Sequence, residues 1–204
     1  MKPQLVSAET PKKINVPSLK LPIADESLVS EGQDAPAVWL MGAHGGAGTT
    51  TLAHCWAPCA EASMFPAADD PNFVVVVAAA HRTGLDAAHR VIRQMQAGQA
   101  GGCELLGLVL VHMAPGKLHK LLKQRLAGIA ANISQVWEVP FVEQWNWVPT
   151  KQLPIWDPTI EEVEVGRRWR RKKIDPLQKI PPIITEVASE ICQLAVERYT
   201  NTNF

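Results

Sequence analysis

The strongest constraint on the fold is a single stretch, Val38-Trp39-Leu40-Met41-Gly42-Ala43-His44-Gly45-Gly46-Ala47-Gly48-Thr49-Thr50-Thr51-Leu52. An apolar run feeds a glycine-rich turn, and threonines then open a segment of helical character. A strand, turn and helix in this order aim successive backbone N–H groups into a concavity that suits an anion. Glycine permits positive φ there and lets the backbone approach a ligand closely. The expected anion cradle is His44, Gly45, Gly46, Ala47, Gly48, Thr49, Thr50 and Thr51.

The chain then repeats a rhythm. Phe73-Val74-Val75-Val76-Val77-Ala78-Ala79-Ala80 is the unbroken run that a strand buried on both faces of a parallel sheet requires. Thr83 and Asp86 have capping-box spacing, and Leu85, Ala88, Ile92 and Met95 recur at helical intervals before Gly98. Leu105-Leu106-Gly107-Leu108-Val109-Leu110-Val111 is another buried strand. Pro115 suits a first helical position, and Leu118, Leu121, Leu122, Leu126 and Ile129 make an apolar stripe. Val136-Trp137-Glu138-Val139-Pro140-Phe141-Val142 reads as a strand nearer an edge, because Pro140 cannot donate to a ladder. Residues 51–63 predict a helix interrupted or bent by Pro58.

Strands at 38–42, 73–80, 105–111 and 136–141, alternating with helices, predict the α/β class. The expected architecture is a mainly parallel, doubly wound sheet, phosphate-loop-like and reduced in strand number. The 204 residues divide into an arm over 1–36, disordered or loosely attached, a domain over 37–148 and a tail over 149–204. In the tail, Trp145, Trp147, Trp156 and Trp169 alternate with prolines. Ile183, Ile184, Val187, Ile191, Leu194 and Ala195 then predict an amphipathic last helix opened by Pro181 and Pro182.

The phosphate-loop signature G-x-x-x-x-G-K-[ST] puts a lysine on the β- and γ-phosphates and a hydroxyl on magnesium. Aligned on Gly48, this chain has Ala43 at the first glycine, Thr49 at the lysine and Thr50 at the hydroxyl. The stretch resembles the deviant phosphate loop of the MinD and ParA family, K-G-G-x-G-K-[ST]-T. Gly45, Gly46, Gly48, Thr50 and Thr51 match, whereas His44 and Thr49 stand where the two lysines belong. Leu85-Asp86-Ala87-Ala88-His89-Arg90-Val91-Ile92 is similar to the family's L-x-x-A-x-x-x-I helix. His112 stands for the asparagine that ends the family's adenine-side strand, and Trp137-Glu138-Val139-Pro140-Phe141 for its I-P segment. The chain also resembles small actinobacterial proteins of unknown function that carry G-A-H-G-G-A-G near their start.

The resemblance spans about residues 38–148. It implies ATP, ADP or another phosphate anion as a weakly held ligand, with magnesium only if a nucleotide binds. The departures from it are chemical. Both lysines are missing, and the valine run ends in His81 and the next strand in His112, not in aspartate. Where the family inserts two strands with a catalytic aspartate and a D-x-x-G switch, only roughly twenty residues intervene here. The electrostatic parts of phosphoryl transfer are therefore absent, and no catalytic or metal residue is expected.

Twenty basic and 20 acidic residues balance, so no global field directs the chain to nucleic acid or membrane. A local exception is Arg167, Arg168, Arg170, Arg171, Lys172 and Lys173 around Trp169. This run reads either as a DNA or anionic-lipid contact or as a solvated segment neutralised by Glu161, Glu162 and Glu164. His44, His81 and His112 fall at the loop and at strand ends, where ligands collect in open α/β sheets. They suit a joint anion or metal site, or three separate polar loop positions. Cys55 and Cys59 lie one helical turn apart beside His54, and read as buried thiols before metal ligands because no second ligand pair follows. With no 18-residue apolar run and no signal-peptide pattern, a cytoplasmic protein without a transmembrane segment is expected.

Three functions follow from these features. The first is a degenerate MinD/ParA-like phosphate-loop protein that binds without hydrolysing ATP. By resemblance, it is a scaffold or regulator of a plasmid, phage or conjugative-transfer system, with a protein partner or self-association. The second is a partition-type nucleotide-binding ATPase whose missing cation a partner supplies. The third is a DNA-binding accessory protein acting through residues 167–173.

Overall fold

Five parallel strands form one sheet in the order β2-β1-β3-β4-β5: β1 (Val38–Gly42), β2 (Cys59–Ala62), β3 (Phe73–Ala79), β4 (Glu104–Val111) and β5 (Val136–Val139). The computed structural model describes residues 20–160 and 175–202. Among the described residues, four α-helices flank the sheet: α1 (Thr49–Cys55), α2 (Arg82–Gln96), α3 (Lys120–Ala130) and α4 (Pro182–Thr202). The fold is α/β and doubly wound. No described helix is long and apolar enough to cross a membrane.

Side-chain alternation divides the core into two layers. Val38 and Leu40 of β1, with Phe73, Val75 and Val77 of β3, pack on the face covered by α1 and α4. Trp39 and Met41, with Val74, Val76 and Ala78, pack on the face covered by α2 and α3. All seven residues of β3 are buried, which is why its sequence shows no polar alternation. A register shift interrupts the β3–β4 ladder: Val74 faces Leu105, but Val75 faces Gly107. The extra residue flips the strand, so that Leu106 joins the α1/α4 layer while Leu108 and Leu110 join the other. A Cβ at Gly107 would lie 2.6 Å from the Trp137 ring, and only glycine admits that ring from β5.

Three local expectations are corrected. The helix predicted over 51–63 stops at Cys55, and residues 59–62 form β2 against β1. Pro58 cannot continue a helix, and its carbonyl accepts from the Ala37 amide to seat the new strand. Helix α2 is capped by His81 rather than by Thr83: His81 Nδ1 accepts from the Gly84 amide at 2.9 Å. Helix α3 begins at Lys120 behind a His119 cap, well after Pro115.

The segments outside the strand and helix rhythm are tied down by specific bonds. In the expected N-terminal arm, Leu21 exchanges two hydrogen bonds with the Gln94 side chain, at 2.9 and 2.7 Å. Ala24 and Pro22 bond to Phe65, and Asp70 accepts from the Leu28 amide at 2.8 Å. In the tail, Trp156 pairs with Trp56, and Trp145 Nε1 donates to the Pro176 carbonyl at 3.0 Å. Helix α4 then lays Ile184, Val187, Ala188, Ile191 and Ala195 on the sheet at helical spacing.

Candidate functional site

The glycine loop leaves β1 at the point where the sheet changes winding. Helix α1, which follows β1, packs on one face, and α2, which follows β3, packs on the other. The winding therefore switches between β1 and β3, and open α/β sheets bind ligands outside the carboxyl ends of the strands at such a point. Gly46 and Gly48 adopt φ of 78° and 93°, so the turn needs glycine at both positions. Gly48 packs on β4, where a Cβ would touch Val111 at 3.4 Å.

The Ala43 amide donates to the Val77 carbonyl at 2.9 Å, and the Leu52 amide to the Gly48 carbonyl at 3.0 Å. Between them, the amides of residues 44–51 have no acceptor among the described residues. Helix α1 has no side-chain cap, and at two turns it adds little dipole. Any attraction for an anion comes from the loop amides themselves. Beside the loop lies a cleft of about 190 Å³, bounded by Gly46, Gly48 and Thr51 on one side and by Val111, Met113, Pro140, Phe141 and Trp145 on the other. Among the described residues, its walls hold no lysine or arginine.

The three histidines separate into two groups. His44 and His81 meet with ring centroids 5.3 Å apart. His44 Nδ1 lies 2.8 Å from the Gly45 carbonyl, and its Nε2 accepts from the Ala79 amide at 3.1 Å. His112 turns instead to Glu138, at 2.7 Å, and borders the cleft. Of the three strand-end histidines, His44 and His81 are thus brought together, while His112 is engaged by Glu138 on the next strand. No group of three or more His, Cys, Asp or Glu among the described residues is arranged to hold a metal.

The threonines diverge as well. Thr49 is buried, with its hydroxyl 2.7 Å from where a Cβ of Gly42 would stand, so it turns down onto the end of β1. Thr50 faces outward and donates to Glu61 Oε1 at 2.9 Å. Glu61 is an acidic group at the loop that sequence reasoning misses, because it sits on β2. The signal was Pro58, which separates Glu61 from the helix and frees residues 59–62 to pair with β1.

The cysteines do not form a site with His54. Cys55 is buried and its thiol is pushed up to about 12 by that burial. Cys59 is held well above its ordinary value by a hydrogen bond with Cys192 and by burial. His54 Nε2 lies 3.1 Å from the Leu153 carbonyl. The basic run at 167–173 lies outside the described residues.

Residues 36–155 match the model of a family described as "Family of unknown function (DUF6668)". No curated protein and no solved structure matches the chain.

Proposed function

Taking as premise that the chain belongs to the DUF6668 family, we propose that it is a degenerate, MinD/ParA-like phosphate-loop protein that works by binding and does not hydrolyse ATP. The observation that carries this reading is the juxtaposition of the glycine loop, its amides without acceptors among the described residues, and an apolar cleft whose described lining includes no lysine or arginine. Backbone donors attract a phosphate group, but none of the described wall residues neutralises charge developing in a transition state. At about 190 Å³, the cleft also falls below the roughly 300–1,000 Å³ that encloses a whole drug-sized ligand. It suits a small phosphate anion, or one end of ATP or ADP. The role is that of a scaffold or regulator whose loop ligand is weak.

A second reading is favoured by the Thr50–Glu61 hydrogen bond. A carboxylate beside an anion cradle repels a bare phosphate, yet together with the Thr50 hydroxyl it would hold a magnesium ion brought by a nucleotide. The two readings predict opposite responses to one substitution. Inorganic phosphate, ATP and ADP are titrated into wild type and Glu61→Gln, with and without magnesium, and read by thermal shift. Under the leading reading, Glu61→Gln tightens metal-free binding severalfold. Under the second, it abolishes a magnesium-dependent shift. A ligand at one hundred times its dissociation constant stabilises by about 2.7 kcal/mol, so millimolar affinity gives only a small shift at millimolar ligand. Steady ATP hydrolysis that is lost in Thr50→Ala would overturn the leading reading.

A further inference from the structure

The partners of His44 fix which of its ring nitrogens donates. A carbonyl only accepts, so Nδ1 donates to Gly45, and Nε2 must then carry the lone pair that receives the Ala79 N–H. His81 is likewise an acceptor at Nδ1, toward the Gly84 amide at 2.9 Å, with the Thr83 hydroxyl 3.0 Å away. Two neutral imidazoles thus stand in ring contact, each holding a backbone amide. Gly84 makes this possible: a Cβ there would meet the Ala79 carbonyl oxygen at 2.2 Å and His44 Nε2 at 2.9 Å. The first turn of α2 therefore presses directly on the His44 ring.

We propose that neutral His44 is a latch that bolts the glycine loop to the end of β3, and that protonation of the His44–His81 pair releases the loop. A protonated His44 has no lone pair for the Ala79 amide, and a second proton on His81 sets two like charges side by side. Among the described residues, the surroundings offer little to offset them. β3 contributes only apolar side chains. In the first turns of α2, Arg82 and Asp86 pair with each other at 3.8 Å, and Asp86 also pairs with Arg125 of α3. Glu61 on β2 is engaged by Thr50, and Glu138 on β5 by His112. The latch acts on the protein alone and holds whether or not the loop takes an anion.

The test follows the backbone amides of wild type, His44→Gln and His81→Asn by nuclear magnetic resonance from about pH 8 to about pH 5.5, across the ordinary imidazole range. Glutamine offers an oxygen to the Ala79 N–H and an N–H to the Gly45 carbonyl, without a titratable ring. Asparagine is a good helix cap and cannot charge. In wild type, the amides of Ala79 and of residues 45–48 should shift together. The Ala79 protection factor, which already corrects for intrinsic exchange, should fall at least about tenfold before any global unfolding. His44→Gln should keep the protected state across the range. His81→Asn should keep the capped helix and move the transition to lower pH. Loop amides that stay unchanged in wild type down to pH 5.5, or a His44→Gln profile that follows wild type, would overturn the latch.

Discussion

The two faces of the sheet are built by different means. On one, α2 and α3 arise directly from the connections β3–α2–β4 and β4–α3–β5, so each helix covers the strands that it joins. On the other, α1 spans only Thr49–Cys55, and most of the cover comes from α4, which starts about forty residues after β5 ends. The family match stops at residue 155, yet Ile184, Val187, Ala188, Ile191 and Ala195 complete the core beneath it. A region can thus lie outside the matched segment and still be part of the domain's hydrophobic interior.

The largest expected effect tests that dependence. Ile184 is fully buried between α4 and the sheet. Ile184→Asp places an unpaired carboxylate among apolar side chains, where the charge has no partner. Truncation of such a residue to alanine alone costs about 2–5 kcal/mol, against a total stability of about 5–15. The variant should show no cooperative thermal transition. If it melts as wild type does, α4 is an accessory and the contrast between the faces collapses.

A second pair of substitutions probes the α2/α3 face. Gly84→Ala forces a Cβ to within 2.2 Å of the Ala79 carbonyl, and should lower stability by about 1–3 kcal/mol through overpacking. Gly128→Ala, in exposed α3 with nothing within 4 Å of the new Cβ, should raise it by about 0.5–1 kcal/mol through helix propensity. Denaturant midpoints would read both. Equal signs would mean that α2 does not press on the β3 end as described.

What could be read in the sequence follows the same division. The strands β3 and β4 and the helix α2 were legible because local hydrophobic runs and helical periodicity determine them. Strand β2 was not: Cys59-Ala60-Glu61-Ala62 lacks β-branched residues, and its strand character comes from pairing with β1. At the loop, the need for glycine at 46 and 48 was legible, and both carry positive φ. The directions of His44, Thr49 and Thr50 were not, because Ala79, the end of β1 and Glu61 set them across long sequence separations. The pairing of His112 with Glu138 was hidden for the same reason: only the β4–β5 register brings them together.

The most local effect concerns the N-terminal strap, the α2/α3 face's own non-local piece. Asp70 is buried and accepts from the Ser27 hydroxyl and from the Leu28 and Ala67 amides, the last two at 2.8 and 3.1 Å. Burial by itself would raise its pKa, but the hydrogen bonds from Leu28, Ser27 and Ala67 outweigh that and hold the carboxyl below its ordinary 3.8. A lowered folded-state pKa means that the stabilisation is complete above the ordinary value and is lost as pH falls below it toward the folded one. The strap should therefore stay seated at neutral and mildly acidic pH, and loosen only below about pH 4. Asp70→Asn keeps one acceptor oxygen and removes the charge, so it should cost about 1–3 kcal/mol at pH 7 and flatten the acid limb of the stability curve. Leu28 and Val29 only pack against the margin of their core layer. Limited proteolysis should therefore cut Asp70→Asn within residues 20–34 while leaving the sheet intact. Cleavage that instead spreads into β3 would show that the strap, like α4, supports the whole domain, and the two faces would no longer differ in what their distant segments do.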